Sequence, residues 1–118
     1  MAAKPSAKAP QRGYAVWLDF DPQSGHEQAG RRPALILSPA AYNSKTGLAL
    51  CCPITSQVKG YPFECPLPPG LPIQGVALAD QVRSLDWRTR RATNICKLPA
   101  DFLDEVVARI LPLLGHEE

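Results

Sequence analysis

Residues 14–20 read Tyr14-Ala15-Val16-Trp17-Leu18-Asp19-Phe20. In an extended chain Tyr14, Val16, Leu18 and Phe20 fall on one face and Ala15, Trp17 and Asp19 on the other, which predicts a half-buried strand. Downstream the same grammar repeats, with apolar runs ended by turn formers. Asp21-Pro22-Gln23-Ser24-Gly25 breaks the first strand, and residues 21–32 read as a polar loop with Gly25 and Gly30 as pivots. Pro33 to Ser38 is a second strand, Asn43 to Gly47 (NSKTG) a turn, and Leu48 to Ile54 a third strand, apolar on both faces as a central strand is. Phe63 to Leu67 has prolines on both sides, which suits an edge. Gly75 to Leu85 reads as one long strand and Arg91 to Leu98 as a last short one.

The end of the chain changes period. Phe102, Leu103, Val106, Val107, Ile110 and Leu111 recur at helical spacing and form one apolar stripe. Pro99 suits the first turn, Asp101, Asp104 and Glu105 lie toward the positive end of the helix dipole, and Pro112 stops or kinks the helix near Leu111. Upstream of the first strand, residues 1–12 (MAAKPSAKAPQR) offer nothing to bury and read as a flexible basic tail. The expected organisation is that tail followed by one domain over residues 13–118. Its class is mainly β (α+β), a small curled antiparallel sheet or barrel closed by a C-terminal helix. At 118 residues and 45% hydrophobic, the chain can bury one core. Its 13 prolines and 8 glycines fit short elements joined by tight loops rather than a helical bundle.

A net charge of +2 does not demand a polyanionic partner, but the distribution is uneven. Arg83, Arg88, Arg90 and Arg91 crowd one stretch around the single acid Asp86, whereas Asp101, Asp104, Glu105, Glu117 and Glu118 collect near the end. A local basic surface suits a phosphate-bearing ligand, and it equally fits arginines that are merely solvated. Cys51, Cys52, Cys65 and Cys96 form no Cys-x-x-Cys pair, and His26 and His116 alone could join them, so no metal site is expected and no cofactor. Reduced, buried thiols are expected, with Cys51 and Cys52 facing opposite ways on their strand. No apolar run approaches membrane-spanning length and the N-terminus lacks a secretion-type stretch, so a cytoplasmic protein without a membrane partner is expected.

The densest polar cluster is His26-Glu27-Gln28-Ala29-Gly30-Arg31-Arg32-Pro33, between two strands. It joins a titratable imidazole, a carboxylate, an amide and two guanidiniums, a set that suits a phosphodiester: an acid or base and a planar donor fork for phosphate oxygens. Pro33 disfavours helix at Arg32 and so puts it at a strand start. A surface loop with a Glu27–Arg31 or Glu27–Arg32 ion pair satisfies the same residues. A second cluster, Ile54-Thr55-Ser56-Gln57, ends the central strand with two hydroxyls and an amide that suit an anion, or form an ordinary strand exit. A third is Asp80-Gln81-Val82-Arg83, in which Gln81 is placed to read a base edge.

The stretches VWLDFDPQSGHEQAGRRPALILSPAAYNSKTGL (16–48), CCPITSQVKGYPFE (51–64) and GVALADQVRSLDWRTR (75–90) together resemble the MazF/PemK family of toxin endoribonucleases. The resemblance runs in family order from Gly13 to about Arg91. It implies an SH3-like β-barrel with helices, a homodimer, cleavage of single-stranded RNA to a cyclic phosphate and a 5′-hydroxyl, and a MazE-like antitoxin whose C-terminal segment covers the RNA site. Residue by residue, Arg32 resembles the family's catalytic arginine and Thr55 its active-site threonine. Glu27 and Gln28 resemble the loop pair that serves catalysis and RNA contact, and Gln81 falls at a base-recognition position. His26 stands where many members have Ser, and Pro112 interrupts a helix often continuous.

The chemistry expected of these groups needs no metal, because RNA carries its own nucleophile, the 2′-hydroxyl. Arg32 stabilises the phosphorane charge, Thr55 donates to a non-bridging oxygen and Glu27 takes the proton. His26, Gln28, Arg31, Ser56, Gln57 and Gln81 are the expected RNA contacts. The alternative from another class is a non-catalytic toxin of a related barrel family, which poisons DNA gyrase by binding.

Overall fold

A computed structural model describes residues 8–20 and 30–115. Seven strands, β1 (Tyr14–Phe20), β2 (Gly30–Ile36), β3 (Leu48–Thr55), β4 (Glu64–Pro66), β5 (Val76–Leu78), β6 (Arg83–Asp86) and β7 (Thr93–Lys97), build one antiparallel sheet. The helices are α1 (Ala40–Thr46) and α2 (Ala100–Ile110). The strand order is β4-β5-β3-β2-β1-β7, with β6 also on β3. β4 and β7 end the path without pairing with each other, so the expected barrel is an open one.

β3 holds this sheet together by pairing with β2 along one side and with β6 and then β5 along the other. Its two faces feed two cores. Cys52 and Ile54 join Ala15, Leu35 and Ala77 beneath Leu98, Phe102, Leu103 and Val106 of the helical end. Cys51 and Ala49 join Val16, Leu18, Ala34, Ile36, Leu85 and Trp87 on the opposite face. The two adjacent thiols thus face opposite ways, as strand geometry requires. β1 buries both Ala15 and Val16, one in each core, and its register against β7 shifts between these two residues. A bulge there re-aims side chains, so the half-buried strand expected over Tyr14–Phe20 is buried on both faces in its first half.

Four expectations change. Residues 75–85 are not one strand: a 3-10 turn at Ala79–Gln81 separates β5 from β6. Both halves still pair with β3, but from Ile54↔Ala77 to Cys51↔Arg83 the chain advances three residues on β3 against six opposite it. The turn is inserted into a continuing alternation that hides it. Gly30-Arg31-Arg32 is strand rather than loop, in register with Phe20, Asp19 and Leu18. The turn expected at Asn43–Gly47 is the second half of α1, which starts after extended Pro39 and stops at left-handed Gly47, whose N–H reaches the Asn43 carbonyl at 3.0 Å. At the other end of the chain, the last residues of the expected tail are engaged. Pro10 is buried and Arg12 Nε donates to the Leu37 carbonyl at 3.0 Å. α2 ends as Pro112 requires, passing into a 3-10 turn over Leu111–Leu114. Among the described residues no helix is long and apolar enough to cross a membrane.

α1 is fastened by one fully buried amide. Asn43 Nδ2 donates to the carbonyls of Pro10 (2.8 Å) and Ser38 (3.0 Å), and its Oδ1 accepts from Ser38 Oγ at 2.6 Å. Ser38 Oγ in turn accepts the Leu50 N–H at 2.8 Å, and Trp87 Nε1 donates to the Asn43 carbonyl at 2.9 Å. The hub therefore ties the N-terminal segment, α1, β3 and the turn after β6. Asn43→Ala leaves buried partners unsatisfied and is expected to cost about 1–3 kcal/mol, more than Asn43→Asp only if the amide's shape rather than its donors matters. Urea unfolding of the three proteins measures this; Asn43→Ala within error of wild type would refute the hub.

Candidate functional site

β2 and β3 pair over Ala34–Ile36 against Cys51–Pro53 and then part. β3 runs on to Thr55 beside β5, while the N-terminal half of β2 continues beside β1, with Arg32 opposite Leu18. Two clefts meet where the strands separate. One, of about 590 Å³, is lined by Phe20, Arg32, Cys51, Thr55, Gln57, Lys59, Tyr61, Glu64, Gln81, Arg83 and Arg90 among others. The other, of about 640 Å³, has Trp17, Arg31, Pro33, Ser56, Ile73 and Gln74 on its walls. Arg32, Ile54, Thr55 and Gln57 line both. The fold thus brings together Arg32, Thr55, Ser56, Gln57 and Gln81 from three separate stretches of sequence. His26, Glu27 and Gln28 lie outside the described residues.

Backbone packing sets where Thr55 stands. Gly75, at φ +120, lies so close to the end of β3 that a Cβ on it would overlap the Thr55 carbonyl. Thr55 Oγ1 accepts the Gln57 N–H at 3.1 Å, turning the chain out of the strand. The loop that follows is held from below by Glu64, a buried carboxylate on β4 that accepts the N–H groups of Lys59 (2.9 Å) and Gly60 (2.8 Å). Glu64, Lys59, Tyr61, Arg83 and Arg90 are cleft residues that reading the sequence as a line did not single out for this site. For Arg83 and Arg90 the basic run around Asp86 was a signal, but nothing local directs them toward Arg32. Gln81 reaches the cleft from the 3-10 turn rather than from a strand.

Arg31, next to Arg32 but on the opposite face of β2, is tightly held. Its guanidinium bonds Asp19 Oδ1 at 2.7 Å, the Arg91 carbonyl at 2.7 Å and Thr93 Oγ1 at 2.9 Å. Arg91 Nε takes the other Asp19 oxygen at 2.7 Å, and Arg91 sits at a positive φ of 53°. These hydrogen bonds, from Arg91 and then Arg31, hold the Asp19 carboxyl below its usual range. Arg90 bonds the Asp19 carbonyl at 3.1 Å and lies over the Phe20 ring at 5.4 Å. One carboxylate between two guanidiniums leaves the cluster net positive, and it locks the turn after β6 to the last residues of β1.

Over residues 11–114 the sequence matches the family of PemK-like, MazF-like toxins of type II toxin–antitoxin systems. The chain belongs to this family. It is 51% identical over 110 residues to the endoribonuclease toxin MazF of Escherichia coli K12, covering 93% of this chain and 98% of that protein. A crystal structure of MazF from Deinococcus radiodurans superposes with a TM-score of 0.83 at 59% identity, covering 92% of this chain and 98% of that one. One of MazE–MazF from the same organism gives 0.86 at 56% identity, covering 92% and 99%.

A thiol, that of Cys51, lies in the floor of the first cleft. Burial pushes the Cys51 thiol up to about 11, against the opposing pull of Arg83 and Arg90, and burial raises Cys52 further. Cys51, Cys52 and Cys65 are buried free thiols, and Cys96 is half-buried. At neutral pH the folded protein should therefore react with a thiol reagent first at Cys96, with Cys51 and Cys52 protected until denaturant is added. Mass mapping of the labelled sites checks this; early labelling of Cys51 would overturn the burial argument.

Asp19 gives a pH test. Its folded-state pKa is depressed, so its contribution to stability is present above the ordinary carboxylate range and is lost as pH falls through the lowered value. Asp19→Asn should be less stable than wild type at neutral pH, and the gap should close on acidification below about pH 4. A gap that persists unchanged at the acid end of a urea-unfolding series would show that the ion pairs are not its source.

Proposed function

We propose that this chain is an endoribonuclease toxin of a type II toxin–antitoxin system, cutting single-stranded RNA through attack of the RNA's own 2′-hydroxyl. The observation that carries this reading is the joint between the clefts, where Arg32 and Thr55 stand at the parting of β2 and β3. A phosphate at that joint has an always-charged planar donor from a strand on one side and a hydroxyl from a strand end on the other, with extended clefts leading away from it. Arg32 stabilises the charge that builds on the phosphorane, and Thr55 donates to a non-bridging oxygen. Glu27 takes the 2′-proton. The 2′-oxygen closes on phosphorus as the bond to the 5′-oxygen breaks, which leaves a cyclic phosphate and a 5′-hydroxyl.

His26, Gln28, Ser56, Gln57 and Gln81 contact the RNA, joined by Lys59, Arg83 and Arg90 along the first cleft. Arg31 acts chiefly through the Asp19 cluster, holding the start of β2 so that Arg32 is presented from a fixed strand. The protein works as a homodimer in the cytoplasm, where its substrate is. A MazE-like antitoxin restrains it by laying a C-terminal segment with acids and apolar anchors over the RNA site, a reading supported by the MazE–MazF pairing named for the Deinococcus radiodurans structure.

Incubation of purified protein with a long RNA in EDTA tests the activity. Cleavage with cyclic-phosphate ends is expected, while DNA, which lacks the nucleophile, and fully duplexed RNA, whose bases are not splayed, should resist. RNA that survives stoichiometric protein would favour the gyrase-binding alternative, and cleavage abolished by chelation would refute the metal-free mechanism. Arg32→Ala should lose roughly 2.7–4 kcal/mol of transition-state stabilisation, about a hundredfold to a thousandfold in the saturated single-turnover rate. A loss confined to RNA affinity would move Arg32 from chemistry to binding.

A further inference from the structure

We infer that the second cleft is a nucleotide subsite in which one unstacked base beside the cut lies on the Trp17 indole. The inference rests on the endoribonuclease reading and extends it from the arginine-rich first cleft to the cleft on the Trp17 side.

The two clefts open on opposite faces of the β1–β2 ribbon. Trp17↔Pro33 and Asp19↔Arg31 are cross-strand pairs on one face, and Leu18↔Arg32 and Val16↔Ala34 are pairs on the other. At the parting of β2 and β3 the faces communicate, because Arg32, Thr55 and Gln57 line both clefts. An RNA strand with its scissile phosphate at Arg32 and Thr55 therefore has one flank in the first cleft. The other flank is led to the Trp17 side.

The lining there matches a nucleotide. Trp17, half-buried, is the aromatic group of this cleft, Ser56, Gln57 and Gln74 offer a hydroxyl and two amides, and Ile73 adds an apolar edge. Among the described residues no carboxylate lines it, and the Asp19 cluster behind Arg31 is net positive. An aromatic platform with hydrogen-bonding amides and a positive background is how proteins hold an unstacked base of single-stranded nucleic acid. A peptide anchor would find mostly polar walls.

The molecule carries its own reporter. Of its two tryptophans, Trp87 is 2% exposed with its Nε1 bonded to the Asn43 carbonyl, so a ligand-induced change in indole emission that Trp17→Phe abolishes reports Trp17. Once the cut sequence has been mapped on a long RNA, oligonucleotides carrying a 2′-deoxy residue at the scissile position bind without being cut. Extending such an oligonucleotide by two nucleotides on one side should quench the emission and tighten binding, while the same extension on the other side should leave the emission unchanged. Trp17→Ala should lose roughly tenfold of the affinity gained from the quenching extension, and Trp17→Phe should keep most of it. An abasic residue in that extension should lose the quench and a similar factor with the wild-type protein, independently of how any variant folds. The inference is overturned if neither extension quenches, if Trp17→Ala weakens every oligonucleotide equally, or if the C-terminal peptide of the cognate antitoxin quenches while RNA does not. Cleavage of long RNA by the wild-type protein, measured alongside, separates failure of this subsite from failure of the nuclease reading.

Discussion

The structure depends on β3 being buried on both faces. A strand with apolar residues on one side can sit at the surface of a sandwich. One that alternates Cys51 into one core and Cys52 into the other must be covered twice and paired along both edges. β2 supplies one edge and β5 with β6 the other, so the layout of the sheet follows from where β3 ends. Because its polar exit, Thr55-Ser56-Gln57, cannot continue in the core, β3 leaves the sheet where β2 has already turned toward β1 alone. The opening between them is the candidate site. The same geometry that stabilises the fold therefore leaves, at one end, a gap with a guanidinium on one bank and a hydroxyl on the other.

Keeping that gap in shape requires polar groups to be satisfied around it, and the protein does so in pairs. Gly75 lets the β5 backbone approach the end of β3 where any side chain would collide. Glu64 binds the two N–H groups that orient the loop after Thr55. On the other bank, Asp19 divides its two oxygens between Arg31 and Arg91. Exposed ion pairs of this kind contribute little to stability singly; here their importance is geometric. They lock the turn carrying Arg90 to the end of β1, so that Arg90 lines the same cleft as Arg32. The Asp19 cluster keeps one positive charge in excess while the backbone is held.

Much of this was legible as a line of residues, and the rest was hidden for physical reasons. Tyr14–Phe20 and the Phe102–Leu111 stripe announce strand and helix because each keeps one period long enough to be read. Arg32 was legible because a proline after it forbids helix and a strand follows. Thr55 was legible because a hydroxyl pair ends an apolar run. α1 was not, since its central residue Asn43 is a buried polar hub and its composition is that of a turn; only Pro39 before it and Gly47 after it hinted at its bounds. The turn at Ala79–Gln81 was masked because the apolar residues on either side keep alternating across it. The Glu64 anchor, the Asp19 cluster and the approach of Arg83 and Arg90 are products of tertiary pairing between stretches tens of residues apart, and no local period encodes them. The open barrel, by contrast, follows from edges the sequence does mark: Pro66 at one end has no N–H to offer a further strand.

The shape of the site bears on its substrate more directly than its charge does. A basic cleft on one face of a protein can hold a duplex by its phosphates. A passage that begins on one face of a two-stranded ribbon, crosses between diverging strands and continues on the other face cannot, because a stacked and paired helix would have to bend around the strand end. A single strand can make that turn, since its backbone rotates freely between nucleotides once the bases are unstacked. With the scissile phosphate placed between Arg32 and Thr55, as proposed, the turn falls at that phosphate, and turning there would have a chemical consequence. In-line attack requires the 2′-oxygen, the phosphorus and the departing 5′-oxygen to approach collinearity, an arrangement that regular stacking disfavours. Holding the two flanking nucleotides on different faces, as in the proposed placement, would remove that stacking at the one linkage to be cut. Part of the cost of reaching the reactive geometry is then met by binding, from contacts remote from the phosphorus, which is how orientation lowers a barrier without a stronger acid or base.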